Sequence, residues 1–218
     1  MKNKVYFYDV SPLKNKDVFE ACFLVASPQR KEKIENLKTE KDKILCLGVD
    51  VVLKKILAED TKFCETDFKC DSLGKPFLQN EKGKKMCISV SHSGDFVMCA
   101  VSDKEIGVDI EKQRKVKLKT AEKFSENEKK YIFSAENPET AFFEVWTFKE
   151  SYLKTVGIGI RQELDSFETT DFCGNPQMCN GYSFFEIEIP GYCAAVCSQY
   201  KRDDFEIKFL NSSDTFLT

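Results

Sequence analysis

Hydrophobic and polar positions alternate at two different periods along this chain, and the changes of period divide it into elements. Residues 4–10 have strand character. From 16 to 26 the apolar residues Val18, Phe19, Cys22, Phe23 and Val25 recur close to helical spacing. Ser27-Pro28 then predicts a new helix, with Ser27 as N-cap and Pro28 at the first helical position, where a missing N–H is harmless. A longer amphipathic helix is expected over 40–57, with Ile44, Leu47, Val51 and Leu53 on its buried side and Lys54-Lys55 toward water. Residues 61–68 and 75–79 read as extended, and Gly74-Lys75-Pro76 reads as a turn that exposes its lysine.

Period-2 alternation returns at 86–91, turns at Ser93-Gly94-Asp95, resumes at 96–101, turns again at Asp103-Lys104-Glu105 and comes back at 106–111. The expectation is a three-stranded antiparallel meander in one small sheet. Ser125-Glu126-Asn127-Glu128 is a capping box that opens a helix. The next helix starts near Pro138, runs through Lys154 and is stopped by Gly157 and Gly159. Residues 166–171, 183–189, 192–200 and 205–210 read as strands. The expected class is α+β, each half pairing helices with a short antiparallel sheet, with no repeat visible between the halves.

Composition narrows the function classes. With 218 residues the chain can bury a core without staples. Its formal charge is −3 and its lysines and arginines are dispersed, so nothing recommends nucleic acid as a partner. The first ten residues lack the apolar core of a signal peptide, and no window is apolar enough to span a bilayer; the expectation is a cytoplasmic protein with no membrane partner. The ten cysteines are scattered and several sit inside apolar runs, which reads as reduced, buried thiols. One histidine and no Cys-x-x-Cys pair make zinc a poor candidate.

Candidate chemistry lies in a few places. His92, the single histidine, sits in Ser91-His92-Ser93-Gly94. Asp109 and Glu111 alternate with Val108 and Ile110, so on a strand both carboxylates share one face, which is half of a metal site or an ordinary solvated acidic edge. Trp146, Glu150 and Lys154 are spaced four apart and share one helix face, where the last two also make an ordinary helix salt bridge. Arg30, Lys31 and Lys33 crowd the first turns of the helix that Pro28 opens. The helix dipole disfavours cations there, which makes an anionic ligand more interesting.

Taken together, Ser91-His92-Ser93-Gly94, Gly107-Val108-Asp109-Ile110-Glu111 and Trp146-Thr147-Phe148-Lys149-Glu150-Ser151-Tyr152-Leu153-Lys154 resemble the signature blocks of the 4′-phosphopantetheinyl transferases of the surfactin-synthetase-activating (Sfp) type. The resemblance covers nearly the whole chain. It implies a pseudo-twofold monomer of two similar α/β halves, drawn here as 1–108 and 109–218, with the site in the cleft between them. It implies transfer of the phosphopantetheine arm of coenzyme A to a serine of an apo acyl, peptidyl or aryl carrier protein, dependent on Mg²⁺ and releasing adenosine 3′,5′-bisphosphate. In that scheme Asp109, Glu111 and Glu150 hold the metal, Glu150 is also the base, and Lys154 contacts the pyrophosphate. Ser91 and His92 hold nucleotide phosphates, Lys149 is a further cofactor contact, and Lys75, Arg30 and Lys33 meet the 3′-phosphate or adenine. The arginine that family members commonly carry near the start of the long helix is replaced here by Lys43 or Lys41. Lys112 to Lys119, or the apolar residues Phe124 and Phe142–Phe143, are candidate carrier-docking positions. The other classes carried forward are a non-catalytic coenzyme A or nucleotide-binding relative and a metal-dependent phosphohydrolase.

Overall fold

Alternate residues of strand β1 (Asn3–Asp9) enter different cores. Tyr6 and Tyr8 pack toward helices α1 (Lys16–Val25), α2 (Pro28–Glu35) and α3 (Glu40–Glu59). Val5 and Phe7 point the other way, against apolar residues of β6 (Ile106–Lys112) and β8 (Tyr192–Ser198). Strand geometry makes this two-sided burial possible. The far face of the second sheet is covered by α4 (Glu126–Ser134) and α5 (Pro138–Val156), so the layers run helices, sheet, sheet, helices. The structure is a computed structural model and describes residues 3–59, 62–159 and 162–211.

The first sheet has six strands in the order β2 (Phe68–Cys70), β3 (Pro76–Gln79), β4 (Lys85–Ser93), β5 (Phe96–Ser102), β1 and β9 (Phe205–Leu210). Its neighbours are antiparallel except β1 and β9, which run parallel. The second sheet, β6-β8-β7 with β7 at Ser183–Glu186, is antiparallel throughout. The fold is thus α+β with two sheets, as expected, but they are unequal in size.

Local punctuation follows the sequence closely. The Ser27 hydroxyl accepts from Arg30 N at 3.3 Å, and both halves of the Ser125/Glu128 capping box are formed. Gly157 ends α5 in the left-handed region, φ 76°, where glycine carries no Cβ penalty. All ten cysteines are free, seven of them buried.

Four expectations change. The meander stops after β5: its two edges are occupied by β4 and β1, so β6 has no edge to join and pairs with β8 instead. Residues 205–210 do form a strand, yet it adds to β1 in the first sheet rather than to the second. Residues 166–171 make a single bridge, Thr170 to Pro176, inside a loop rather than a strand. Residues 65–67 form a short 3-10 turn where extension was expected, and Thr61 lies outside the described residues.

Candidate active site

Strand β6 and helix α5 meet at Gly107. A Cβ at that position would overlap the carbonyl oxygen of Ser151 and lie 2.5 Å from Thr155 Oγ1 and 2.6 Å from Thr155 N. Glycine in a strand interior often marks such a close approach of backbone. Two residues along β6, Asp109 is brought under the last turns of α5, where Lys154 Nζ donates to Asp109 Oδ1 at 2.7 Å. The same oxygen accepts from Ser91 Oγ of β4, also at 2.7 Å. Asp109 Oδ2 and Glu150 Oε1 are both buried and have no hydrogen-bond partner among the described residues.

That arrangement is electrostatically unfinished. Burial raises the Asp109 carboxyl above its ordinary range, against Lys154 and Ser91, which stabilise the ionised form. Burial also raises Glu150, and the neighbouring Asp109 raises it further; Lys154 opposes both. Glu111, at the rim, receives Ser93 Oγ at 2.8 Å and Arg114 Nη1 at 2.9 Å, both on Oε2. Among the described residues no three His, Cys, Asp or Glu are grouped as a complete metal cage. Magnesium seldom uses one: it takes one or two carboxylates and fills its octahedron with water and phosphate oxygens. An all-oxygen donor set with two buried, unpartnered carboxylate oxygens fits a hard divalent cation, because such oxygens are costly until something positive satisfies them.

Around this centre the candidate cations separate into two groups. His92 is exposed and Lys33 on α2 is exposed. The protein mass around His92, with Lys154 and then Lys33 adding to it, holds the imidazole below its ordinary value, while Asp42 pulls the other way. Lys33 and Lys154 are thus both near enough to His92 to bias its charge. A groove of about 670 Å³ lies beside Lys154, lined by Gly74, Lys75, Pro76, Leu153, Lys154 and Gly157.

The second group is committed elsewhere. The Gly74 turn forms as expected, with Asp71 Oδ1 accepting from Leu73 N at 2.8 Å and Lys75 N at 2.9 Å. Lys75 is not exposed by it: the ammonium folds back to pair with Glu105 and to donate to the Thr155 carbonyl at 2.5 Å. Arg30 is paired with Asp50 at 3.3 Å and pins α2 to α3. Lys43 pairs with Glu40 at 3.3 Å. Lys149 is fully buried, 2.8 Å from Glu128, with the carbonyls of Leu164 and Phe167 at 2.6 and 2.8 Å, so it has no open direction for a cofactor. The Ser91 hydroxyl donates to Asp109. Phe124, Phe142 and Phe143 are core residues; the first two stack with Trp146.

The sequence reading gave no individual role to Ser89, Ser93, Gly107 or Arg114. A signal existed for the serines: Ser89, Ser91 and Ser93 form a period-2 polar row, which normally denotes a wet strand face. Here Ser89 and Ser91 are buried against β6.

A sequence model of the 4′-phosphopantetheinyl transferase superfamily matches residues 105–208, the span from β6 through β9 that carries Asp109, Glu150 and Lys154. Among curated proteins, 4′-phosphopantetheinyl transferase ffp of Bacillus subtilis is 30% identical over 216 residues, covering 93% of this chain and 94% of its own. 4′-Phosphopantetheinyl transferase Sfp of Bacillus subtilis (strain 168) is 28% identical over 187 residues, 80% and 82% of the respective chains. L-aminoadipate-semialdehyde dehydrogenase-phosphopantetheinyl transferase of Xenopus laevis is 26% identical over 164 residues, 67% and 54%.

Proposed function

The chain belongs to the 4′-phosphopantetheinyl transferase superfamily, and from that premise we propose that it moves the 4′-phosphopantetheine arm of coenzyme A onto a serine hydroxyl of an apo acyl, peptidyl or aryl carrier protein, with Mg²⁺ as cofactor and adenosine 3′,5′-bisphosphate as the other product. The observation that carries this reading is the pair of buried, unpartnered oxygens on Asp109 and Glu150 beside Lys154. A bound Mg²⁺, held by Asp109, Glu111 and Glu150, would neutralise pyrophosphate charge and orient the β-phosphate for in-line attack.

The protein's own groups divide the rest. Glu150 accepts the proton of the carrier serine, directly or through a water. Its raised carboxyl favours that role, since a base works best when its pKa approaches the working pH. Lys154 pairs with Asp109, and it can shift from Asp109 toward the pyrophosphate as charge grows on the leaving side. The groove between the Gly74 turn and the end of α5 receives the nucleotide, with His92 and Lys33 supplying donors and positive charge at its phosphate end. Lys75 can join them only by leaving Glu105. We assign the two functional halves to 1–108 and 109–218, whose junction falls within β6.

The test is incubation of the purified chain with coenzyme A, Mg²⁺ and a panel of apo carrier proteins, followed by mass measurement of each carrier. A gain of one phosphopantetheine arm supports the proposal. Retention of coenzyme A with every carrier unmodified would make the chain a binding protein, and phosphate release without a carrier would make it a phosphohydrolase; either result overturns the proposal.

A further inference from the structure

Strand β6 is an edge of the second sheet, since its one backbone partner is β8. An edge strand carries a row of N–H groups with no ladder partner. On this edge they meet serine hydroxyls of β4: Val108 N donates to Ser89 Oγ at 3.0 Å, and Lys112 N donates to Ser93 Oγ at 3.1 Å. The two sheets are thus joined along β4 and β6 by side chains of one period-2 serine row.

The same row reaches the carboxylates. Ser91 Oγ donates to Asp109 Oδ1, and Ser93 Oγ donates to Glu111 Oε2. A second donor goes to each of those same oxygens, Lys154 to Asp109 Oδ1 and Arg114 to Glu111 Oε2. In each carboxylate one oxygen is held twice by the protein. The other is left over, and for Asp109 it is buried without a partner. A carboxylate held this way is fixed in rotation and presents one lone-pair face in one direction.

We propose that Ser91 and Ser93 are positioning residues that lock Asp109 and Glu111 so that their remaining oxygens converge on a divalent cation. The proposal rests on the metal-site reading above and adds the residues that aim the ligands. Partners behind metal ligands typically change affinity by roughly 10–100-fold when removed. Ser89, which binds backbone alone, holds the seam without orienting a carboxylate.

Mn²⁺ binding to the full chain without coenzyme A, read from the loss of the free-ion electron paramagnetic resonance signal, tests it without turnover. Ser91→Ala and Ser93→Ala should each weaken Mn²⁺ binding by roughly 10–100-fold, Ser93→Thr should restore it by keeping the hydroxyl, and Ser89→Ala should lower the melting temperature while Mn²⁺ binding stays at the parent value. Parent-like Mn²⁺ binding by Ser91→Ala or Ser93→Ala would overturn the proposal. A parent chain that binds no Mn²⁺ would overturn the metal-site reading itself.

Discussion

Lys149 and Glu150 are neighbours on α5, about 100° apart around the helix, and they lead into opposite kinds of polar cluster. On one side Lys149 and Glu128 are sealed from water, their side chains 0% exposed. Every direction around them is filled: Lys149 reaches two loop carbonyls and lies 4.2 Å from the Phe167 ring centroid, while Glu128 accepts from Ser125 N, Thr169 N and Thr169 Oγ1. On the other side Glu150 and Asp109 keep buried oxygens that nothing satisfies. The first cluster has the properties of a structural knot tying α4, α5 and the loop after α5 together. The second tolerates a cost that a bound cation would relieve, and unsatisfied buried polar groups in a native protein call for such an explanation.

The comparison can be broken from either side. The largest stability effect is expected at the sealed cluster: Lys149→Met leaves Glu128 charged and buried, and should destabilise by about 3–5 kcal/mol. Denaturant unfolding measures this, and a variant as stable as the parent would remove the structural role. Gly107→Ala should act in the opposite register. Its Cβ meets Ser151 and Thr155, so α5 must move off β6 and carry Glu150 and Lys154 away from Asp109. A displacement near 1 Å costs roughly 10²-fold in rate, and steady-state turnover on a modified carrier reports it; parent-like turnover would show that the close approach does not set the site.

The smallest effect is a pH dependence of stability. Both Asp109 and Glu150 titrate above their ordinary values in the folded chain. A carboxyl raised on folding contributes stability that is present below its unfolded pKa and is lost as pH rises through the folded one. Glu150→Gln should therefore match the parent in strongly acidic solution and become relatively more stable as pH climbs from near 4.5, the ordinary glutamate value, through the raised folded value. Unfolding midpoints across that range test the sign, and a Gln variant that loses stability toward neutral pH would contradict it.

Much of this was legible before the structure. Caps, glycine stops and amphipathic periods are local, and they placed α2, α4, α5 and β6 nearly to the residue. Sheet membership is not local. Nothing in residues 106–111 reports that both edges of β5 are already taken, and nothing in 205–210 names β1 as the partner. The approach of Asp109, Glu150 and Lys154 to one another followed from strand and helix spacing. Lys149 was misread because helix spacing gives a direction but not the identity of what lies there. The burial of Ser91 was not legible, because the serine row has the period of a solvent face and its burial depends on β6 crossing from the other sheet.

The claim that the unfinished side of α5 performs the chemistry is tested most directly by Glu150→Gln. Transfer from coenzyme A to an apo carrier protein, followed by carrier mass over time, should slow by roughly 10²–10⁴-fold, with the fold intact and coenzyme A still bound. Transfer at the parent rate by the Gln variant would contradict the account.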